Sequence, residues 1–140
     1  MAKSEKNRGK PPKASKGSYE VPAEPVNYDD ESPKFCLRFL AAGFDVHALD
    51  PEKQASFAKT LQKLASSRWM DLKLAPRHGQ GSELIPAREF KAPIPPRFQA
   101  EPKFMVFRYH AKLPMAGVRV DDVYHVLWIE PEFNDLYNHG

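Results

Sequence analysis

The sequence predicts an α+β fold: a small antiparallel sheet packed by one or two helices, with an arm in front of it. Three observations carry this. Residues 34–40 and 104–130 are rich in β-branched and aromatic side chains that alternate with the period of a half-buried strand. Residues 51–69 repeat apolar side chains at helical spacing. The first 33 residues carry charge, glycine and proline with little to bury.

The arm comes first. Lys3, Lys6, Arg8, Lys10, Lys13 and Lys16 face Glu5 alone, and the first aromatic is Tyr19. The sign then flips at Glu20, Glu24, Asp29, Asp30 and Glu31. Such a stretch cannot bury enough apolar area to offset the entropy of ordering, so 1–33 reads as a disordered basic-then-acidic arm. It is either a solubilising tail or a segment that meets phosphates or folds onto a partner. A single domain over 34–140 should follow. Lys34–Leu40 reads as a strand with Phe35, Leu37 and Phe39 on one side. Asp50 is a good N-cap, Pro51 suits the first helical position and Glu52 favours the positive helix end. Phe57, Leu61, Leu64, Ala65 and Trp69 form one apolar stripe. The helix ends near Ser66-Ser67 or resumes after a break at Trp69–Leu72.

Residues 75–103 read as a long proline-rich loop holding Pro76, Pro86, Pro93, Pro95, Pro96 and Pro102. A loop of that length in a small domain is often functional. A three- or four-strand meander ends the chain: Phe104–Ala111, Ala116–Val120 and Val123–Glu130, with Leu136-Tyr137 as a possible addition. Asp121-Asp122 has the length of a two-residue hairpin loop, setting Val120 against Val123 and Val118 against His125. One face is then Val118, Val120, Val123, His125, Leu127 and Ile129, expected to touch the helix. Arg119, Tyr124, Val126, Trp128 and Glu130 form the other, a half-exposed working face.

Composition bounds the chemistry. The 140 residues include 21 Lys and Arg against 18 Asp and Glu, a net charge of +3. From Lys59 to Lys112, however, eleven basic residues meet four acidic ones. Such a surface favours phosphate and gives salt-dependent affinity for nucleic acid. Aromatics interleave with it at Trp69, Phe90, Phe98, Phe107 and Tyr109, compatible with base stacking; the plainer reading is a solvated basic face. The one cysteine, Cys36, leaves no disulfide framework and no cysteine-based zinc site. No HxH or HExxH pattern joins His47, His78, His110, His125 and His139, so no metal or other cofactor is expected. No membrane span and no signal peptide are expected, and a cytoplasmic location follows as an expectation. Arg77-His78-Gly79-Gln80-Gly81 is the most site-like piece of the loop, with a guanidinium for phosphate and an imidazole for protons, though it equally reads as a mobile turn. Without a nucleophile elbow or metal ligands, the chemistry left open is RNA cleavage in which a 2′-OH attacks its own phosphate.

Phe107-Arg108, Gly117-Val118-Arg119-Val120, Asp122–Glu130 and Leu136-Tyr137-Asn138-His139 resemble the RelE/ParE-like toxin superfamily of bacterial toxin–antitoxin systems. The resemblance covers about residues 34–140, with a longer proline-rich connection and one clear helix where that family often has two. It implies a toxin that cleaves RNA on the ribosome, or one directed at a topoisomerase, with RNA or the ribosome and an acidic antitoxin-like protein as partners. By the same resemblance, Arg108 is the basic strand residue, and Tyr137 and His139 are the terminal phenol and imidazole. Lys73 and Arg77 precede the sheet. The expected catalytic set is Arg108, Tyr137, His139 and His78. The expected nucleic-acid-binding set is Lys73, Arg77, Arg88, Lys91, Arg97 and Arg119. The alternative is a non-enzymatic module that binds protein or nucleic acid. The enzyme reading requires a cationic pocket where the proline-rich segment crosses the meander.

Overall fold

The computed structural model describes residues 26–76 and 81–139. Its core is a five-stranded sheet in the order β1-β5-β4-β3-β2, with β1 at Lys34–Cys36, β2 at Glu83–Pro86, β3 at Lys103–His110, β4 at Leu113–Val120 and β5 at Val123–Ile129. The two helices are α1, Pro51–Ala65, and α2, Trp69–Leu74. The α+β class therefore holds. The sheet is mixed rather than wholly antiparallel, because β1 runs parallel to β5 at one edge. Among the described residues, no helix is long and apolar enough to cross a membrane.

Helix α1 begins as its sequence dictates. The Asp50 carboxylate accepts the backbone N–H of Lys53 at 2.9 Å, and Pro51 opens the first turn. Phe57 and Leu64 are buried, and Leu61 packs beside them, against Phe107, Tyr109, Tyr124, Val126 and Ile129 of the sheet. Full burial of each such side chain contributes about 1.5–3 kcal/mol. After a break, α2 adds Trp69 and Leu72 to the same layer.

The hairpin loop at Asp121-Asp122 has the expected register, Val120 against Val123 and Val118 against His125. Asp121 takes the left-handed conformation, φ +58°, where glycine is usual. The assignment of faces is reversed. Tyr124 and Val126 meet the helices, whereas Val118 and Leu127 belong to a second cluster on the opposite side. A register shift then inserts Leu127 as an extra residue in β5, since Gly117 pairs with Val126 and Ala116 with Trp128. Alternation changes phase there, so Ile129 joins the helix side while Leu127 and Trp128 share the other.

The second face is covered by the proline-rich segment, which is not an open loop. It contains the edge strand β2, paired with β3, and single 3₁₀ turns at Ala87–Glu89 and Pro96–Phe98. Phe90 stacks on Trp128 at 4.9 Å between ring centres, and the Trp128 indole N–H donates to the Pro93 carbonyl at 3.0 Å. Polar edge-strand geometry and proline content masked β2 in the sequence. The first strand is also shorter than expected: β1 stops at Cys36, Leu37 is exposed, and Phe35 and Phe39 pack in opposite layers. Order extends upstream of Lys34. Asn27 caps a 3₁₀ turn at Tyr28–Asp30, and the Glu31 carbonyl accepts the backbone N–H of Trp69 at 2.9 Å. The last residues of the expected arm, Tyr28–Glu31, are thus packed on the domain; residues 1–25 lie outside the described residues.

Candidate functional site

On the sheet face opposite the helices lies a cleft of about 310 Å³. Its lining includes Ile85 of β2, Val106 and Arg108 of β3, Lys112 of the β3–β4 turn, and Tyr137, Asn138 and His139 of the C-terminal tail. The β3–β4 turn is tight: Ala111 takes φ +51°, an unfavourable conformation for a residue with a Cβ, and this places Lys112 at the cleft. The tail is pinned by a β-bridge between Phe90 and Tyr137 and by the Lys91 N–H donating to the Leu136 carbonyl at 2.8 Å. The proline-rich cover therefore sets the position of Tyr137 and His139.

The imidazole of His139 is clamped. It stacks between Phe133 at 4.3 Å and Tyr137 at 4.4 Å, both within 25° of parallel. Its backbone N–H donates to Oδ1 of Asn134 at 2.9 Å, and Asn134 takes φ +73°, a conformation asparagine tolerates. Nε2 lies 2.9 and 3.1 Å from the two carboxylate oxygens of Glu130. Glu130 has no exposed surface, and its Oε2 also accepts the Leu136 backbone N–H at 2.8 Å. Burial raises the Glu130 pKa above the ordinary carboxylate value; the Leu136 N–H and His139 pull it back. The backbone carbonyl of Glu130 is held as well, by the Tyr109 hydroxyl at 2.6 Å. Burial also raises the pKa of that hydroxyl, which keeps it a donor. An ionised Glu130 can only accept, so it fixes the imidazole proton on Nε2 and leaves Nδ1 for proton transfer.

Three of the four expected catalytic residues, Arg108, Tyr137 and His139, thus meet in one cleft. The fourth, His78, lies outside the described residues, as does Arg77. Of the expected phosphate-binding residues that are described, only Lys91 reaches the rim, its ammonium 3.3 Å from Oδ1 of the lining residue Asn138. Arg88 is exposed on the 3₁₀ turn of the cover. Arg97 lies over the Phe39 ring at 5.1 Å. Lys73 and Arg119 sit elsewhere, both paired with Asp29. The five cations do not form one surface, because they sit on separate elements: Lys73 on α2, Arg119 on β4, and Arg88, Lys91 and Arg97 along the proline-rich cover. Nor is the cleft uniformly cationic: Glu83 and Glu89 line it beside Arg108 and Lys112.

Glu130 falls on the expected working face but outside the expected site residues. Its signal was a carboxylate closing the apolar run Val126–Ile129, too buried to be left unpaired. Its partner is hidden in the sequence because eight residues of tail, 131–138, must turn back before His139 arrives. Lys112 was legible only as one charge in a basic stretch. The chain matches no protein-family model, no curated protein and no solved structure, so the site is defined by its own geometry.

Proposed function

We propose that this chain cleaves RNA without metal, as a toxin-like endoribonuclease acting on free or ribosome-bound transcripts. The observation that carries the reading is the meeting of a buried carboxylate–imidazole pair, Glu130–His139, with Arg108 and Lys112 in one cleft.

The chemistry follows from those groups. Arg108 and Lys112 hold the non-bridging oxygens of a phosphodiester and offset the charge that grows on them. Nδ1 of His139 takes the proton of the neighbouring 2′-OH. The bond from the 2′-oxygen to phosphorus forms and the bond to the 5′-oxygen breaks. The departing oxygen takes a proton from the Lys112 ammonium, leaving a 2′,3′-cyclic phosphate and a 5′-hydroxyl. Glu130 stabilises the imidazolium produced, and a positioned general base of this kind contributes about 10²–10⁴-fold. Tyr137 acts as a positioning residue, holding the imidazole plane by stacking.

The test is induced expression in bacteria, followed by sequencing of transcript ends. Growth arrest with new 5′-hydroxyl ends, both relieved by His139→Ala, is the expected result. Normal growth with intact transcripts contradicts the proposal.

A further inference from the structure

A second basic face lies far from the cleft. Arg119 stands five residues from Pro114 along β4, roughly 17 Å at strand rise, and on the helix side of the sheet. Its guanidinium packs over the Trp69 ring at 4.3 Å. Lys73 and Arg68 flank it from α2 and the residue before it. Lys73 and Arg119 are held by one acidic turn, and Arg68 is shared between that turn and Asp71 of α2, whose carboxylate its guanidinium meets at 3.1 and 3.3 Å. Asp29 bridges Lys73 at 2.9 Å and Arg119 at 3.1 Å, and Asp30 reaches Arg68 at 3.4 Å. The Asp29 and Arg119 side chains are only 18% and 19% exposed, so this is a seated contact rather than a loose surface pair. Lys73 and Arg119 hold the Asp29 carboxyl below the ordinary carboxylate range.

Arg119 donates Nε–H to the Asp121 carbonyl at 2.7 Å, which leaves its terminal Nη1–Nη2 edge for an oxyanion, and it packs over an indole as arginines do in nucleic-acid sites. We infer that Lys73 and Arg119, with Arg68 at their edge, form a second binding surface for a single-stranded RNA backbone, held closed by the chain's own Asp29. Besides these ion pairs, the turn is tied to α2 by the Trp69 N–H donating to the Glu31 carbonyl. A polyanion with several phosphates competes for the same three cations by releasing counterions, which the turn cannot do. The choice of RNA rests on the proposed function; the latch itself does not depend on cleavage.

The experiment compares wild type with Asp29→Asn/Asp30→Asn, which removes both charges and leaves the backbone bonds. Binding of a labelled 2′-O-methyl oligoribonucleotide, which cannot be cut, is followed by anisotropy across a salt series. The variant should bind about tenfold tighter at low salt, and the slope of log affinity against log salt should steepen by about 1.4, roughly 0.7 for each of two charges on a single strand. Adding Lys73→Gln and Arg119→Gln should abolish that gain. Unchanged affinity and slope in the folded variant overturn the inference, as does a gain that survives loss of Lys73 and Arg119. If the variant does not fold, wild type titrated with inorganic polyphosphate decides: the backbone N–H resonances of Asp29 and of Trp69, the latter bonded to the Glu31 carbonyl, should shift, and their constancy overturns the latch. A gain in binding by a chain that cuts nothing would spare this inference and sink only the nuclease reading; cleavage without a gain would do the reverse.

Discussion

Replacing Glu130 separates its two roles. In Glu130→Gln the amide oxygen can still accept the Leu136 N–H, now made at 2.8 Å. The amide nitrogen must then donate to Nε2 of His139, which forces the imidazole proton onto Nδ1. The nitrogen assigned to receive the 2′-OH proton is then already occupied. Stability should stay within about 1 kcal/mol of wild type, because one hydrogen-bonded group replaces another and a buried charge is removed. Cleavage should fall by about 10²–10⁴-fold. Glu130→Ala behaves differently. It orphans the Leu136 N–H, and Leu136 is fully buried. An unsatisfied buried group of this kind costs about 1–3 kcal/mol, and relief from burying a charge offsets only part of it. A net loss of about 2 kcal/mol in urea unfolding is expected. The pH dependence has a defined sign. The Glu130 pKa is raised in the fold, so the fold holds that proton more tightly than the unfolded chain does. Its contribution to stability therefore grows as pH falls through the folded pKa and levels off below the unfolded value, about 4.3. Glu130→Gln should flatten that component. A Gln variant that cleaves at the wild-type rate, or that unfolds as easily as the Ala variant, would refute the assigned roles.

Three further outcomes follow from the same geometry. Arg108→Ala should lower cleavage by about 10²–10³-fold, with far-UV circular dichroism unchanged, because it removes charge stabilisation at the developing phosphorane. Gly117→Ala should destabilise the fold by about 1–3 kcal/mol in urea unfolding, since a Cβ there would run into the His125 carbonyl opposite the β5 bulge. Asp29 carries the opposite pH sign to Glu130: its folded pKa is lowered, so its stabilisation is present above the unfolded value and is lost as pH falls through the folded one. Asp29→Asn should remove that acid-side loss in a pH series of melting temperatures.

Much of the framework was legible because local chemistry and tertiary environment agree. The Asp50-Pro51 start of α1 needs only its own turn, and the Asp121-Asp122 hairpin fixes its register by loop length alone. What failed was non-local. The Leu127 bulge depends on how β4 and β5 close over Gly117, and a shift of one residue exchanges faces. β2 carries proline and exposes Leu84, so nothing in its own sequence distinguishes it from loop; pairing with β3 makes it a strand. The site divides in the same way. Arg108, Tyr137 and His139 were found through resemblance, and the tail does bring them together. Glu130 required knowing that the tail folds back, and the sorting of Lys73 and Arg119 away from the cleft required knowing that Asp29 occupies them.

The central claim, that His139 and Arg108 drive a 2′-OH into its own phosphodiester, is tested most directly by end-group analysis. RNA, free and on programmed ribosomes, is incubated with the purified chain in EDTA, beside a substrate carrying a 2′-deoxy sugar at the cut position. The account predicts fragments ending in 2′,3′-cyclic phosphate and 5′-hydroxyl, none from the deoxy substrate and none with His139→Ala. Intact RNA in both settings, cleavage of the deoxy substrate, or fragments carrying a 5′-phosphate would contradict it.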